Sequence, residues 1–203
     1  MTHPHHHHDR LFPAEYASSL DDPARHDRQP PRAIVDALAL TEGCRVLDFG
    51  AGTGYYAIPI AQRLRQLGPE GKVLAVDSQA VMLEHLAAKL VDLEGAPILM
   101  VAGSTDAVQA MDEASLDRAL MANVAHEIPD RNALFQATFR ALAPGGLLLV
   151  LDWDPEGSAQ HGPPLDHRLL PDEVFRAMAQ AGFSEIEALP CYPDHFALRA
   201  KRP

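Results

Sequence analysis

The sequence predicts an α/β fold, a mostly parallel sheet with helices on both faces. Three observations carry that prediction. Strand-sized apolar runs alternate with helical stretches from residue 45 to the C-terminus, a glycine-rich turn follows the first run, and the most apolar stretch, Leu147 to Leu151, has the length of a buried strand. The 203 residues fit one domain with a real core, and fractions of 47% apolar and 22% charged residues are those of an ordinary globular chain.

Residues 1–31 read as an N-terminal arm rich in His, Asp and Pro, and residues 32–203 as the α/β domain. In the arm, Pro13 to Leu20 suits a short helix, Asp21-Asp22-Pro23 a turn, and Pro30-Pro31 a break. Ile34, Leu38 and Leu40 then mark an amphipathic helix ending near Gly43. Arg45 to Phe49 is the first strand, followed by glycines and a helix over Tyr55 to Leu67. Lys72 to Val76 is the second strand and Ser78 to Leu93 its helix. Ile98 to Val101 and Leu116 to Ala122 are the third and fourth strands. Asp130 is an N-cap candidate for a helix through Leu142, which Pro144-Gly145-Gly146 ends before the fifth strand. A helix over Pro171 to Ala181 stops at Gly182, and strands over Phe183 to Leu189 and His195 to Lys201 close the chain.

Charge and cysteine content narrow the function. A formal net charge of −11 is opposite to the clustered cations that neutralise phosphates, so a small molecule is favoured over a nucleic acid as partner. No apolar run approaches the roughly 20 residues of a membrane span. Cys44 and Cys191 lack the paired spacing of a disulfide framework or zinc ribbon, and the N-terminus has histidines where a signal peptide has an apolar stretch. The expected compartment is the cytoplasm.

The chemistry begins at Asp48-Phe49-Gly50-Ala51-Gly52-Thr53-Gly54, the first strand-to-helix turn. Ligands of open α/β sheets sit beyond the carboxyl ends of the strands, and glycines there let a ligand approach the backbone. The spacing is Gly-x-Gly-x-Gly, neither the Gly-x-Gly-x-x-Gly of dinucleotide binders nor a P-loop. Asp48 would repel a pyrophosphate and suits a ligand bearing an ammonium group. Asp77, at the end of the second strand, is placed to accept hydrogen bonds from both hydroxyls of a ribose; the bland alternative is an N-cap of the next helix.

These residues carry a resemblance. The run Val46 to Tyr55 resembles the first motif of class I S-adenosylmethionine (SAM)-dependent methyltransferases, and Val76-Asp77 their acidic second motif. Leu116 to Asn123 resembles the fourth-strand motif, Leu142-Ala143-Pro144-Gly145-Gly146 the family's Pro-Gly-Gly turn, and Ala181-Gly182-Phe183 the step before the sixth strand. The resemblance implies a Rossmann-like sheet of seven strands ordered 3-2-1-4-5-7-6. It implies SAM as the methyl donor, S-adenosylhomocysteine (SAH) as product, and a cofactor set of Asp48, Gly50, Gly52, Gly54, Asp77, Ser78, Met82, Ser104, Thr105 and Asn123. Many relatives carry Asp where Ser104 stands, so either Asp106 or backbone reads the adenine amine. Met82 packs on the adenine or in the core.

Methyl transfer from a sulfonium needs alignment and water exclusion more than a metal, and a base only where the acceptor loses a proton early. His126, in Asn123-Val124-Ala125-His126-Glu127, is the acid-base or orienting candidate, against a bland capping or core role. The Asn-Pro-Pro-Tyr sequence of amino-methylating relatives is absent, and two cysteines are too few for arsenite chemistry. Trp153, in the polar stretch after the fifth strand, either stacks on a planar acceptor or closes the core. His3, His5, His6, His7 and His8 invite a metal reading, but no carboxylate or thiolate stands at fixed spacing, and no metal is expected. Phe12, Tyr16 and Leu20, at helical spacing, make the arm a candidate lid over the site or a plain surface helix. The expected function is methyl transfer from SAM to a small molecule. A SAM-binding module without catalysis is the main alternative; a nicotinamide dehydrogenase is disfavoured by the glycine spacing and Asp48.

Overall fold

The computed structural model describes residues 11–203 apart from 92 and 94. The histidine run of the N-terminus lies outside them. A seven-stranded sheet has the order β3-β2-β1-β4-β5-β7-β6. Its strands are β1 (Arg45–Phe49), β2 (Lys72–Asp77), β3 (Ile98–Ala102), β4 (Leu116–Ala122), β5 (Leu142–Trp153), β6 (Ser184–Leu189) and β7 (His195–Lys201). The first five run parallel, and β7 is antiparallel to both neighbours.

Among the described residues, seven α-helices accompany the sheet: α1 (Pro23–Arg28), α2 (Pro31–Ala37), α3 (Ala57–Leu67), α4 (Ala80–Leu90), α5 (Thr105–Gln109), α6 (Arg131–Ala141) and α7 (Pro171–Ala181). Side chains alternate across each strand, so each face has its own core. Leu47, Phe49, Met121, Leu148 and Val150 pack with Leu134 and Phe135 of α6 and Val174 and Met178 of α7. Val46, Leu120, Leu149 and Leu151 pack with Ile34 of α2, Leu38, and Ile60 and Leu64 of α3. No helix among the described residues is long and apolar enough to cross a membrane.

Register aligns the strand ends. Phe49 pairs with Val76 and Met121, Asp77 with Ala102, and Ala122 with Leu151. The loops after β1, β2, β4 and β5 therefore open at one edge.

Several boundaries differ from the sequence reading. The helix after β2 begins at Ala80 rather than Ser78 because Asp77 Oδ1 accepts the Gln79 N–H and bends the chain first. Pro144-Gly145-Gly146 lies inside β5 as an irregularity between the Leu116–Leu142 and Arg118–Leu147 pairs. There the Gly145 N–H donates to Arg202 O and the Arg202 N–H donates to Gly146 O. Asp130 caps α6 as expected, accepting from Ala133 N at 2.9 Å. The short helices α1 and α5 carry too few turns to show periodicity.

The arm departs most. Residues Ala14–Asp21 form a 3-10 helix, with about 3.0 residues per turn. Ala17 is buried and Ala14 and Leu20 partly so, one every third residue, while Tyr16 is 58% exposed. The expected Phe12–Tyr16–Leu20 stripe assumed 3.6 residues per turn; winding at three rotates Tyr16 off the inner face.

Candidate active site

At the open edge lies a cavity of about 950 Å³. It is lined by the loops after β1, β2, β3, β4 and β5 and roofed by the arm, and it brings together Asp48, Gly50, Gly52, Asp77, Ser78, Met82, Ser104, Asn123 and His126. Gly54 and Thr105 are not among the lining residues.

The two glycines at the end of the turn show why. Gly52 has φ +54°, and a Cβ there would meet nothing nearer than Leu20 Cδ1 at 3.5 Å, so its open side faces the cavity. Gly54 has φ +88°, and a Cβ would lie 2.4 Å from Leu86 Cδ1, so its role is to let α4 pack against the turn.

Asp77 serves the turn as well as the cavity. Its Oδ2 accepts the Gly52 N–H at 2.8 Å and its Oδ1 the Gln79 N–H at 2.9 Å, which fixes the carboxylate at the cavity wall. The N-cap of α4 is Gln79, so Asp77 caps the turn before the helix rather than the helix itself, and that role is compatible with facing a ligand because each oxygen keeps a further lone pair. Met82, 2% exposed, lines the cavity from α4.

Asp48 is 2% exposed, and its Oδ2 has no hydrogen-bond partner among the described residues. Burial, and next the charge of Asp77, push its carboxyl up to about 7, against a backbone N–H of Ala57 and the positive Arg25. Asn123, at the end of β4 with φ +57°, also keeps a buried Oδ1 without a partner. Its Nδ2 faces Gln29 Oε1 at 3.4 Å.

The opposite wall is built around Asp152, a fully buried residue of β5. Its Oδ2 accepts the His126 N–H at 3.0 Å and its Oδ1 the Trp153 N–H at 2.8 Å. His126 Nδ1 lies 2.7 Å from the same Oδ1, so the Asp152 carboxyl holds both the backbone and the ring of His126. The imidazole is thereby oriented with Nε2 3.9 Å from Glu127 Oε1. Glu127 lines the cavity, and burial pushes its carboxyl up to about 7; Asp152 and Asp77 also raise it, while His126 and the Phe12 N–H oppose the shift.

Trp153 is half-buried and lines the cavity. His195 lies against its ring at a centroid distance of 4.1 Å, and a Cβ on Gly162 would fall 2.5 Å from Trp153 Cδ2. These neighbours hold the indole in place at the cavity wall. Burial lowers the His195 imidazole to about 4, and Gln29 Nε2 lies 2.8 Å from its Nε2.

Residues of the arm complete the roof, among them Arg25 and Gln29, which the sequence reading did not single out. Arg25 lies 3.7 Å over the Tyr55 ring and donates to Leu20 O, and Tyr55 Oη donates to Gln29 O. The Phe12 N–H donates to Glu127 Oε1 at 3.1 Å, and Phe12 O accepts from Gln79 Nε2 at 2.9 Å. Asp21 Oδ1 accepts from Thr53 Oγ1 and from Lys89 Nζ. Gln29 and Glu127 carry no sequence signal of their own, since only the fold brings them to the cavity.

A seven-stranded sheet of this order with a glycine turn and two acids at the ends of β1 and β2 defines the seven-stranded methyltransferase class. The chain belongs to the family described as Methyltransferase domain, whose profile matches residues 47–148. It is 34% identical over 127 residues to a ubiquinone/menaquinone biosynthesis C-methyltransferase of Syntrophotalea carbinolica, covering 63% of this chain and 51% of that protein. It is 28% identical over 193 residues to a ubiquinone biosynthesis O-methyltransferase of a Chelativorans species, covering 85% of this chain and 70% of that one. The chain spans about half the length of the first of these and 44% of a second C-methyltransferase, from Pasteurella multocida. The crystal structure of a SAM-dependent methyltransferase from Aquifex aeolicus shares the fold, with a TM-score of 0.84 at 24% identity over 95% of this chain and all of that one.

Proposed function

We propose that this chain transfers the methyl group of SAM to a small-molecule acceptor within the cavity at the open edge of the sheet. The observation that carries the reading is the pair of buried acceptors without partners, Asp48 Oδ2 and Asn123 Oδ1, beside the turn where Gly52 leaves room for a ligand. A buried polar atom left unpaired costs about 1–3 kcal/mol, so the site is built for a donor that the protein itself does not supply. The ammonium of the methionine moiety fits that need. Asp77 faces the ribose, Met82 and Ser104 border the adenine, and Arg25 is the cation complementary to the methionine carboxylate. The sulfonium supplies an electrophilic methyl group; the chain aligns the acceptor and keeps water out. Asp152 holds His126 as an acid-base or orienting group, and the arm acts as the lid.

The named relatives belong to quinone biosynthesis, which supports a small acceptor. The free cysteines Cys44 and Cys191 suit a cytoplasmic setting. Calorimetry with SAM, SAH and NADH tests the reading: micromolar binding of SAM and SAH, and none of NADH, is expected. Conversion of SAM to SAH in the presence of an acceptor separates an enzyme from a binding module. Absence of SAM binding overturns the whole proposal.

A further inference from the structure

Resting on that reading, we infer that Glu127 is the general base of the transfer, that the arm completes it by placing the Phe12 N–H on Glu127 Oε1, and that the acceptor is a neutral molecule methylated at a hydroxyl oxygen. The geometry is specific. Glu127 sits on the 3-10 turn Ala125–Glu127 directly after β4, lines the cavity, and is exposed over only 12% of its side chain. Every group set against it contributes: His126 Nε2 at 3.9 Å on its own turn, Asp152 from β5, Asp77 from β2, and the Phe12 N–H from the arm at 3.1 Å. With Oε1 engaged by Phe12, the remaining lone pairs of the carboxylate can take a proton from a ligand. Burial places the carboxyl at about 7, and a base is most effective when it titrates near the working pH.

The surrounding charge selects the acceptor. Asp48, Asp77 and Glu127 line the cavity with Arg25 and Arg28 of the arm, and Asp152 lies behind His126, so an acceptor oxygen that arrives beside Glu127 already ionised meets a carboxylate and is repelled. An amine is drawn in by the same carboxylates as its ammonium, which has no lone pair to react. A phenol or enol enters neutral and becomes nucleophilic when its proton leaves. In the step, the O–H bond breaks with its proton going to Glu127 and its electron pair staying on oxygen. The O–CH₃ bond forms as the S–CH₃ bond breaks, the latter electrons returning to sulfur to give the neutral thioether of SAH. No oxidant or reductant is consumed. Asp152, through His126, holds an imidazole beside the carboxylate, so the Glu127 charge is not left alone in the wall.

Three full-length variants test this: Glu127→Gln, Phe12→Pro, which deletes the donor, and Phe12→Ala, which keeps it. Carbon-13 titration of the glutamate carboxyls in the SAH complex should show Glu127 near neutrality. Phe12→Pro should move it upward, because the lost N–H favoured the ionised form, and Phe12→Ala should not. With SAM and catechol, turnover should rise with pH through the Glu127 titration. Glu127→Gln should remove that limb and lower turnover about 100-fold, with SAH affinity changed less than about threefold. Benzylamine, an aliphatic amine that is an ammonium ion near neutral pH, should give no turnover. A Glu127 carboxyl in the ordinary carboxylate range, or a pH limb retained in Glu127→Gln, overturns the base. Turnover of benzylamine in preference to catechol, or of neither, overturns the acceptor class. Failure of the wild-type chain to bind SAH overturns the cofactor reading itself and is read separately by calorimetry.

Discussion

The two walls of the cavity are made by different means. The wall assigned to the cofactor comes from the ends of adjacent strands, where the pairing of Phe49 with Val76 and Met121 brings the strand ends that carry Asp48, Asp77 and Asn123 side by side. The facing wall is joined by contacts between distant parts of the chain. Phe12 meets Glu127 across 115 positions, His126 meets Asp152 across 26, and Gln29 meets His195 across 166. A wall set by strand register leaves its trace in short motifs. A wall set by tertiary contacts leaves almost none.

The sharpest way to break this comparison is to strain the first wall alone. A valine at position 52 must adopt φ near +54°, which costs a non-glycine residue roughly 1–2 kcal/mol, and its branches enter the cavity. Gly52→Val should lower SAM affinity by at least about 100-fold in calorimetry. Gly145→Ala is the control: φ is +79° with nothing within 4 Å of a new Cβ, at the opposite end of the sheet. It should lower the melting temperature by a few degrees, about 2–4 °C per kcal/mol for a domain of this size, and leave affinity alone. Equal affinities for the two variants would remove Gly52 from the site.

Next in size is Asp77→Ala. Loss of a charge-assisted pair to the ribose should weaken SAM binding by about 1.5–3 kcal/mol. Because the carboxylate also holds the Gly52 and Gln79 N–H groups, the apo-protein should melt lower too. Asp77→Asn, which keeps one acceptor oxygen, should recover part of the melting loss and little of the affinity. If melting falls and affinity does not, Asp77 is a loop cap and nothing more.

Asp48 gives a smaller, pH-dependent effect. Its carboxyl titrates at about 7 without a ligand, and an ammonium pairs with the ionised form. The proton must leave as the cofactor binds, so affinity rises with pH toward 7, by about fivefold between pH 6 and pH 7. Above that the ammonium itself begins to titrate, at about 7.7–8.0 for an α-amino group. Asp48→Asn should flatten the rise. Calorimetry in buffers of different ionisation enthalpy checks the sign, since it must show proton release; proton uptake would contradict the assignment.

These contrasts also mark what the sequence could show. The strand order, the glycine turn and the acids at 48 and 77 are local patterns tied to the period of the strands, and they are legible. The asymmetry between Gly52 and Gly54 is not, because it depends on which side Leu86 of α4 approaches. The role of Asp152 was hidden in a polar stretch, since only the return of β5 beside β4 brings it under His126. The arm misled for a physical reason: its apolar residues were read on a 3.6-residue helix, whereas the chain winds at three per turn.

The smallest expected effect concerns the latch that holds the arm. Lys89 Nζ donates to Thr53 O and to Asp21 Oδ1, and Thr53 Oγ1 donates to the same oxygen, so one carboxylate ties the arm to both the glycine turn and α4. The Lys89 and Asp21 side chains are about a third exposed, and a pair so placed contributes only about 0.2–1 kcal/mol. Lys89→Met should therefore cost SAM affinity two- to fivefold and shift apo melting by less than about 2 °C. The informative quantity is the exchange of amide hydrogens at residues 14–28. In the wild-type chain it should slow when SAH is added, because a ligand under the arm favours the closed state, and in Lys89→Met the ligand-free exchange should be faster still. An arm that exchanges equally slowly with and without SAH is a fixed wall of the cavity. In that case the coupling of Phe12 to Glu127 is permanent, and it positions the carboxylate without gating it.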